Sequence, residues 1–425
     1  MTLLSLTFLA LMLAGLPIAF AIGMAGFTFF LTNGTIPVSI GVQQVATASQ
    51  SFPLLAVPFF LLAGHMMNHS GITTRLINCS NTLVSWMAGG LAQVCIVLST
   101  LMGGVSGAAV ADAAMEARIL GPNLIERGYS KGFTSAVIAV GSLITATIPP
   151  SIGLILYGFV GNVSIGRLFL AGVIPGLLMM ALLMTTTWII AKRRNYRADS
   201  ATRPTMKAVW HAVSDAKWAL IFPLALLVAI RGGLFTPSEV GAFAVVYAVL
   251  VGVFAHREMT WSGLMEALGD AVTDIGMIML IILFSGMVGY AVIFDQAPQT
   301  IASTLTHLTT NPMAVVGLLL AFIFVAGLFV ESTVLVLLLT PIFLPIVRPL
   351  GVDPVHFGIL MMTVVTLGSM TPPVGVCMYT VCSLLKTPIE EYIVESIPFV
   401  GAVLLEVAFL AFFPQVVLFL PNLLM

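Results

Sequence analysis

Ile148-Pro149-Pro150-Ser151-Ile152 stands inside the apolar segment 133–160, and Thr371-Pro372-Pro373-Val374-Gly375 inside the apolar segment 356–383. Two successive prolines remove two backbone donors and crowd the preceding turn, so a helix must break at each place. In hydrocarbon the freed carbonyls need partners within the protein, which restricts such breaks to places that line a cavity or hold an ion. Composition says that this is the relevant solvent. Of 425 residues, 16 are Lys or Arg and 17 are Asp or Glu, 8% in all, while 59% are hydrophobic. Soluble chains carry roughly 25% charged residues. With a mean hydropathy of +1.12, the chain has too few polar groups to cover a soluble globule and too much apolar surface to stay disordered. A net charge of −1 without a basic face excludes nucleic acid as a partner. Long apolar runs without alternation point to helices rather than a barrel. The expected class is an all-α integral membrane protein in a lipid bilayer.

Working outward, apolar segments fall at 4–31, 52–70, 88–120, 133–160, 167–191, 216–231, 237–255, 271–294, 311–348, 356–383 and 393–421. Two of them, 88–120 and 311–348, are too long for one helix across ~30 Å of hydrocarbon and too short for two. The first is interrupted by Met102-Gly-Gly-Val-Ser-Gly-Ala-Ala-Val-Ala-Asp112, the second by Gly327-Leu-Phe-Val-Glu-Ser-Thr333. Both are expected to be re-entrant helical hairpins. After the first come Gly141-Ser142, Pro149-Pro150, Gly153 and Tyr157; after the second, Gly368-Ser369, Pro372-Pro373, Gly375 and Tyr379. Ser106 and Ser332 are 226 residues apart and the Pro-Pro pairs 223 apart. The same offset lays 237–255 on 14–32, 271–294 on 48–71 and 393–421 on 170–198, leaving 216–231 unmatched. That single extra span puts the second half in the membrane upside down, as an inverted-topology repeat.

Basic residues favour the cytoplasmic side of a membrane. With the N-terminus and the 191–217 linker in the cytoplasm, Arg75, Arg118, Arg127, Lys131, Lys192, Arg193, Arg194, Arg197, Arg203, Lys207, Lys217, Arg257 and Lys386 lie inside. Only Arg167, Arg231 and Arg348 lie outside, a division of 13 to 3 that puts the C-terminus in the periplasm. The first basic residue is Arg75, so the opening apolar stretch is expected to be a retained span and not a secretory signal. Cys79, Cys95, Cys377 and Cys382 form no C-x-x-C pair and read as apolar packing residues.

Each half then supplies a hairpin tip and a broken helix, both rich in Ser, Thr and Gly. Neutral hydroxyls and helix C-terminal carbonyls suit a hard monovalent cation, and helix N-termini at the same tips suit a carboxylate. One Na⁺ is expected at Ser106, Ser142, Thr145 and Thr147, and another at Ser332, Thr333, Ser369 and Thr371. Substrate is expected between the tips, at Ser106, Gly107, Ser332 and Thr333 with Pro150 and Pro373, supported by Asp112 and Glu331. Pro-Pro alone reads first as a structural kink and a Gly-Ser patch as close helix packing; it is their recurrence in matching order that favours a transport site.

Gly104-Val-Ser-Gly-Ala-Ala-Val-Ala-Asp112 followed by Ile148-Pro-Pro-Ser-Ile152, with Leu339-Thr-Pro341 and Thr371-Pro-Pro-Val-Gly375 in the second half, closely resembles the large membrane subunit (permease, DctM-type) of tripartite ATP-independent periplasmic (TRAP) transporters. The resemblance extends over essentially the whole chain. It implies a sodium-driven elevator in the bacterial inner membrane, a small four-helix membrane subunit, a periplasmic substrate-binding protein, and a small organic acid such as a C4-dicarboxylate, sialic acid or other sugar acid. It places a scaffold at 1–87 and 192–310 and a mobile transport domain at 88–191 and 311–425. The sequence departs from the family pattern at Gly153, where proline is common, at Met115-Glu116 within a usually small, apolar stretch, and at Glu331, where aspartate is frequent.

The remaining ionisable groups invite blander readings. Glu266, Asp270 and Asp274 form one helical stripe that reads as a solvated face. His65 and His69 share a face but lack a third metal ligand. Glu406 reads as facing a neighbouring helix. Segments 72–86 and 298–309 are short and amphipathic, suited to interfacial arms. No P-loop, H-E-x-x-H or Ser-His-Asp order occurs, so no ATP hydrolysis and no enzyme activity are expected. Two alternatives stay open: a stand-alone divalent-anion/sodium symporter, and an integral-membrane enzyme using Glu331 or Asp112 as its acid or base.

Overall fold

The opening apolar stretch is two helices, α1 (Thr2–Leu13) and α2 (Ile18–Thr32), in a computed structural model that describes residues 2–196, 198, 203–232, 235–309 and 311–425. Gly15 at φ +83° and Pro17, which has no N–H to donate, divide what hydropathy joins as 4–31. A polar helix missed by hydropathy, α3 (Val38–Ser49), carries Gln43 and Gln44 and leads through a 3₁₀ turn (Phe52–Leu55) into α4 (Ala56–His69). Next comes α5 (Ile72–Val84), which buries Ile72, Leu76 and Cys79 on one face, as its amphipathic pattern predicts.

The segment 88–120 is helix, turn, helix: α6 (Gly90–Gly103) and α7 (Ala109–Ile119), followed by the single turn α8 (Gly121–Glu126). The segment leaves and returns at one end of the molecule. The Gly89 N–H donates to the Tyr196 carbonyl (3.3 Å) and the Ser130 N–H to the Tyr196 hydroxyl (3.2 Å). Then come α9 (Lys131–Gly141), α10 (Leu143–Thr147) and, after the Pro-Pro break, α11 (Ile152–Gly161), bent by 44° from what precedes it. Ser151 restarts the chain as an N-cap, accepting the Leu154 N–H at 3.3 Å. The long α12 (Ile165–Arg193) holds Pro175 in its interior. The linker contains α13 (Met206–Asp215), which exposes Met206 and Trp210, and the apolar α14 (Lys217–Arg231) follows, bent by 66° from it. Arg197, assigned to the cytoplasm above, lies outside the described residues.

The second half begins with α15 (Pro237–Leu250), opened by a Thr236–Glu239 capping box and ended by a π turn (Val251–Ala255). Capped by Thr260, α16 (Trp261–Phe294) runs 34 residues, two to three turns more than the apolar core 271–294 indicates. After α17 (Ala297–Leu308) comes a second helix–turn–helix, α18 (Pro312–Gly327) and α19 (Ser332–Val347). A second broken helix follows, α20 (Pro354–Gly368) and α21 (Val376–Leu385). The last apolar stretch, 393–421, is again two helices, α22 (Ile389–Phe412) and α23 (Pro414–Leu424), parted where Pro414 cannot continue the ladder.

No strand occurs among the described residues. By length and composition α12, α15 with its π turn, α16 and α22 can each cross a bilayer, as can the bent α9–α11 unit. Helices α2, α3, α4 and α15 pack around α16 and its neighbours. Elsewhere the halves interlock: α7 packs on α21, α9 along α22, α11 along α19 and α10 on α20. Buried hydrogen bonds pin this contact, Ser135 to Thr387 at 2.7 Å and the Tyr157 hydroxyl to the Pro354 carbonyl at 2.7 Å. All four cysteines are free and buried.

Candidate functional site

Between α6 and α7 the chain turns through residues 104–108. Gly107 takes φ +64°, and a Cβ there would collide with the Pro150 carbonyl oxygen; only glycine lets this tip rest on the break. The Ile152 N–H reaches back to the Gly107 carbonyl at 3.5 Å. Ser106 donates its hydroxyl proton to Asp112 Oδ1 at 2.7 Å. Asp112 is 2% exposed, and its carboxyl interacts with the Thr145 hydroxyl as well as with Ser106. One turn on, Glu116 accepts the Ser99 hydroxyl at 2.8 Å. Behind the tip, Ser142 donates to the Ala139 carbonyl (2.8 Å), Thr145 to Ser99 (2.9 Å) and Thr147 to Leu143 (3.2 Å). A hydroxyl that has donated its proton keeps its lone pairs for a cation.

The second tip repeats the theme with different parts. Gly327 and Gly368 bring two backbones together; a Cβ on Gly368 would lie 2.6 Å from the Gly327 Cα. The Leu328 carbonyl accepts the N–H groups of Val374 (3.2 Å) and Gly375 (3.1 Å) from the break. Glu331 caps α19, taking the N–H groups of Thr333 (2.8 Å) and Val334 (3.3 Å) and the hydroxyls of Ser332 (2.8 Å) and Thr333 (3.0 Å). Ser369 donates to Thr366 at 2.7 Å and Thr371 to Leu367 at 2.8 Å. The buried Tyr392 hydroxyl donates to the Met370 carbonyl at 2.7 Å and steadies the break.

Both tips border one cavity of about 380 Å³. Ser106, Gly107 and Asp112 come from the first tip, and Glu331, Ser332 and Thr333 from the second. Pro150 sits behind Gly107, and Pro373 is exposed; neither lines the cavity, nor do Ser142, Thr145, Thr147, Ser369 or Thr371. Another wall comes from α4 and α16, and sequence reasoning missed it. His65 Nε2 lies 2.9 Å from Asp274 Oδ2, and Asn68 stands one turn away. Asp274 is thus a cavity residue and not only part of a solvated stripe. Gly64 faces the first tip at ordinary contact distance; a Cβ there would lie 3.6 Å from the Ser106 Cα. At Gly153 the Met362 side chain fills the room a larger residue would need, and both line the cavity. A larger groove of about 890 Å³ lies between α5, α13 and the turn after α15. It contains no residue of either tip, so size alone does not locate the site.

Chemically the cavity is built to hold and release. It brings together hydroxyls, a helix start without a side-chain cap, and carboxylates, of which Glu331 is already occupied by neighbouring donors. Asp112 with the Ser106 and Thr145 hydroxyls beside it fits a hard monovalent cation, which needs oxygen ligands and one compensating charge. Glu406, 1% exposed on α22, has no partner for either oxygen among the described residues and lies apart from this cavity.

The family model for the tripartite ATP-independent periplasmic transporter, DctM component, matches residues 5–416. The chain is 33% identical to the sialic acid TRAP transporter large permease protein SiaM of Vibrio cholerae, over 98% of this chain and 97% of that protein. It is 32% identical to the 2,3-diketo-L-gulonate TRAP transporter large permease protein YiaN of Escherichia coli, over 95% of each. Against the isethionate TRAP transporter permease protein DctMQ of Oleidesulfovibrio alaskensis it is 32% identical, and spans 65% of that longer protein. In fold it matches the YdaH transporter of Alcanivorax borkumensis with TM-score 0.66 at 15% identity, covering 97% of this chain and 98% of that one. The protein is a multi-pass membrane permease and not an enzyme. By sequence along nearly its full length, the chain belongs to the DctM component family of TRAP transporters.

Proposed function

We propose that the chain carries a small organic acid inward across the bacterial cytoplasmic membrane, driven by a sodium gradient through an elevator movement. The observation that carries this reading is the meeting of two tips, 226 residues apart in sequence at Ser106 and Ser332, on one cavity. Relatives are named for sialic acid, 2,3-diketo-L-gulonate and C4-dicarboxylate, which supports a carboxylate. A small four-helix membrane subunit and a periplasmic binding protein would complete the system, with the N-terminus in the cytoplasm and the C-terminus in the periplasm.

Element order supports two inverted repeats. α15, α16, α17, α18, α20, α21 and α22 follow α2, α3–α4, α5, α6, α9–α10, α11 and α12 at an offset near 223 residues, with α14 as the odd span between. In this reading 1–87 and 192–310 form the scaffold, contributing His65, Asn68 and Asp274. The moving part is 88–191 with 311–425, contributing both tips. Residues Ser106, Ser142, Thr145 and Thr147 would hold one Na⁺, and Ser332, Thr333, Ser369 and Thr371 another. The ion supplies the positive charge that lets a carboxylate enter an acidic cavity. Ser106→Ala and Ser332→Ala test the assignment in proteoliposomes holding all three components: each is expected to weaken the sodium dependence of uptake about tenfold. Unchanged sodium dependence in both variants would refute the sites, and full uptake without the binding protein would favour a stand-alone symporter.

A further inference from the structure

Glu116 interrupts a stretch of small, apolar residues, and nothing assigned above uses it. It stands on α7 one turn beyond Asp112 and is fully buried, 0% exposed. Ser99 of α6 donates its hydroxyl to Glu116 Oε1 at 2.8 Å, while Oε2 has no partner among the described residues. A carboxylate at membrane depth with a single hydrogen bond is costly. Asp112 places a second one on the same helix face, about 5–6 Å away between Cβ atoms, and two such charges disfavour each other.

No basic side chain offsets the pair among the described residues. On α7 itself Arg118 is exposed in the last turn. The helices packed on α7 are α6, α8, α9, α10 and α21. Buried Cys95 of α6 and Cys377 of α21 lie within reach of the Glu116 charge; Tyr379 and Cys382 complete the titratable groups of α21. Helices α8 and α9 carry only Glu126 and Lys131, both exposed, and α10 carries none. Packing around Glu116 is close, since a Cβ on Gly141 would lie 3.7 Å from the Ser99 Oγ. Asp112 lines the tip cavity and Glu116 does not. A proton is the cation that needs neither a cavity nor a shell of ligands.

Glu116 is nevertheless joined to the first tip. The Ser99 carbonyl accepts the Thr145 hydroxyl at 2.9 Å, Thr145 interacts with Asp112, and Asp112 accepts the Ser106 hydroxyl at 2.7 Å. Resting on the reading of Ser106 and Thr145 as sodium ligands, we propose that Glu116 is a proton-binding site of the first hairpin, coupled to that sodium. One Na⁺ beside Asp112 and one H⁺ on Glu116 neutralise the two carboxylates, so the loaded hairpin moves without net charge. The two cations repel, so release of the Glu116 proton to water tightens sodium binding.

The test needs no substrate: permease with its small subunit in lipid nanodiscs, from neutral to alkaline pH, with Na⁺ alone as the probe. Infrared difference spectra against Glu116→Gln at neutral pH are expected to show the carbonyl stretch of a protonated carboxyl, lost in the variant. Carboxylate bands lost instead would overturn the proposal. Sodium affinity, read from thermal stabilisation, should tighten at least about tenfold in the unaltered protein as alkali removes the proton. In Glu116→Gln, and in the uncharged Glu116→Met of similar volume, it should keep its neutral-pH value. An equal pH dependence in all three proteins, or failure of both variants to assemble, would overturn the proposal. A protonated-carboxyl band at Glu116 with no sodium response at any pH would uphold the proton site and count against the sodium sites.

Discussion

At the scale of single residues, Gly107 separates backbone strain from contact. It has φ +64° and a Pro150 carbonyl where a Cβ would be, whereas Gly128 has φ +87° and open space around it. Alanine at Gly128 is expected to cost about 1 kcal/mol of strain and leave uptake intact. Alanine at Gly107 also forces the tip off the break, so sodium-driven uptake should fall at least about tenfold with normal abundance in the membrane. Equal uptake by the two variants would show that tip-to-break contact is irrelevant. Ser106, Gly107, Ser332 and Thr333 were legible in the sequence because polar and small residues interrupt apolar segments there. His65 and Asp274 were not, because they are 209 positions apart and their pairing exists only once α4 packs on α16. Asp274 also belongs to a stripe whose other members gave it a plainer explanation. The capping role of Glu331 was likewise invisible, since a carboxylate at a tip suits a ligand or a cap equally until the N–H directions are known.

At the scale of elements, the prolines were the reliable signal. Both Pro-Pro pairs break helices where expected, and each break is tied to its neighbouring tip by backbone hydrogen bonds. Hydropathy failed where a break costs little apolar character. Gly15 and Pro17 divide α1 from α2, and Pro414 divides α22 from α23, within runs that average as single spans. It also missed α3, whose glutamines lower the average although the residues remain helical. The Tyr392 hydroxyl on the Met370 carbonyl holds the second break from outside it. Tyr392→Phe leaves a buried carbonyl short of a partner, at a cost of about 1–3 kcal/mol. Detergent-solubilised protein should melt earlier and uptake should slow. Asp353→Ala removes a cap from α20 that accepts the Val355 N–H at 2.7 Å, at about 1 kcal/mol, and should leave uptake unchanged. The opposite ranking in transport would deny the breaks a special role.

At the scale of the molecule, an elevator movement carries the tips against the wall formed by α4 and α16. A Cβ on Gly64 would lie 3.8 Å from the Ser106 Cβ, within the range of about 3.5–4.5 Å that a disulfide spans. Gly64→Cys with Ser106→Cys should therefore cross-link under mild oxidation, at a rate that changes when the protein shifts between its two orientations. A rate indifferent to substrate and binding protein would mean that wall and tip form one rigid body. Whether a sodium gradient drives an organic acid through this cavity is measured directly by reconstitution. Permease, small subunit and binding protein are reconstituted in liposomes without ATP, and substrate accumulation is measured with and without an inward Na⁺ gradient. Accumulation above the external concentration is expected with the gradient, and its collapse when a sodium ionophore removes it. Accumulation that persists without the gradient would contradict sodium coupling.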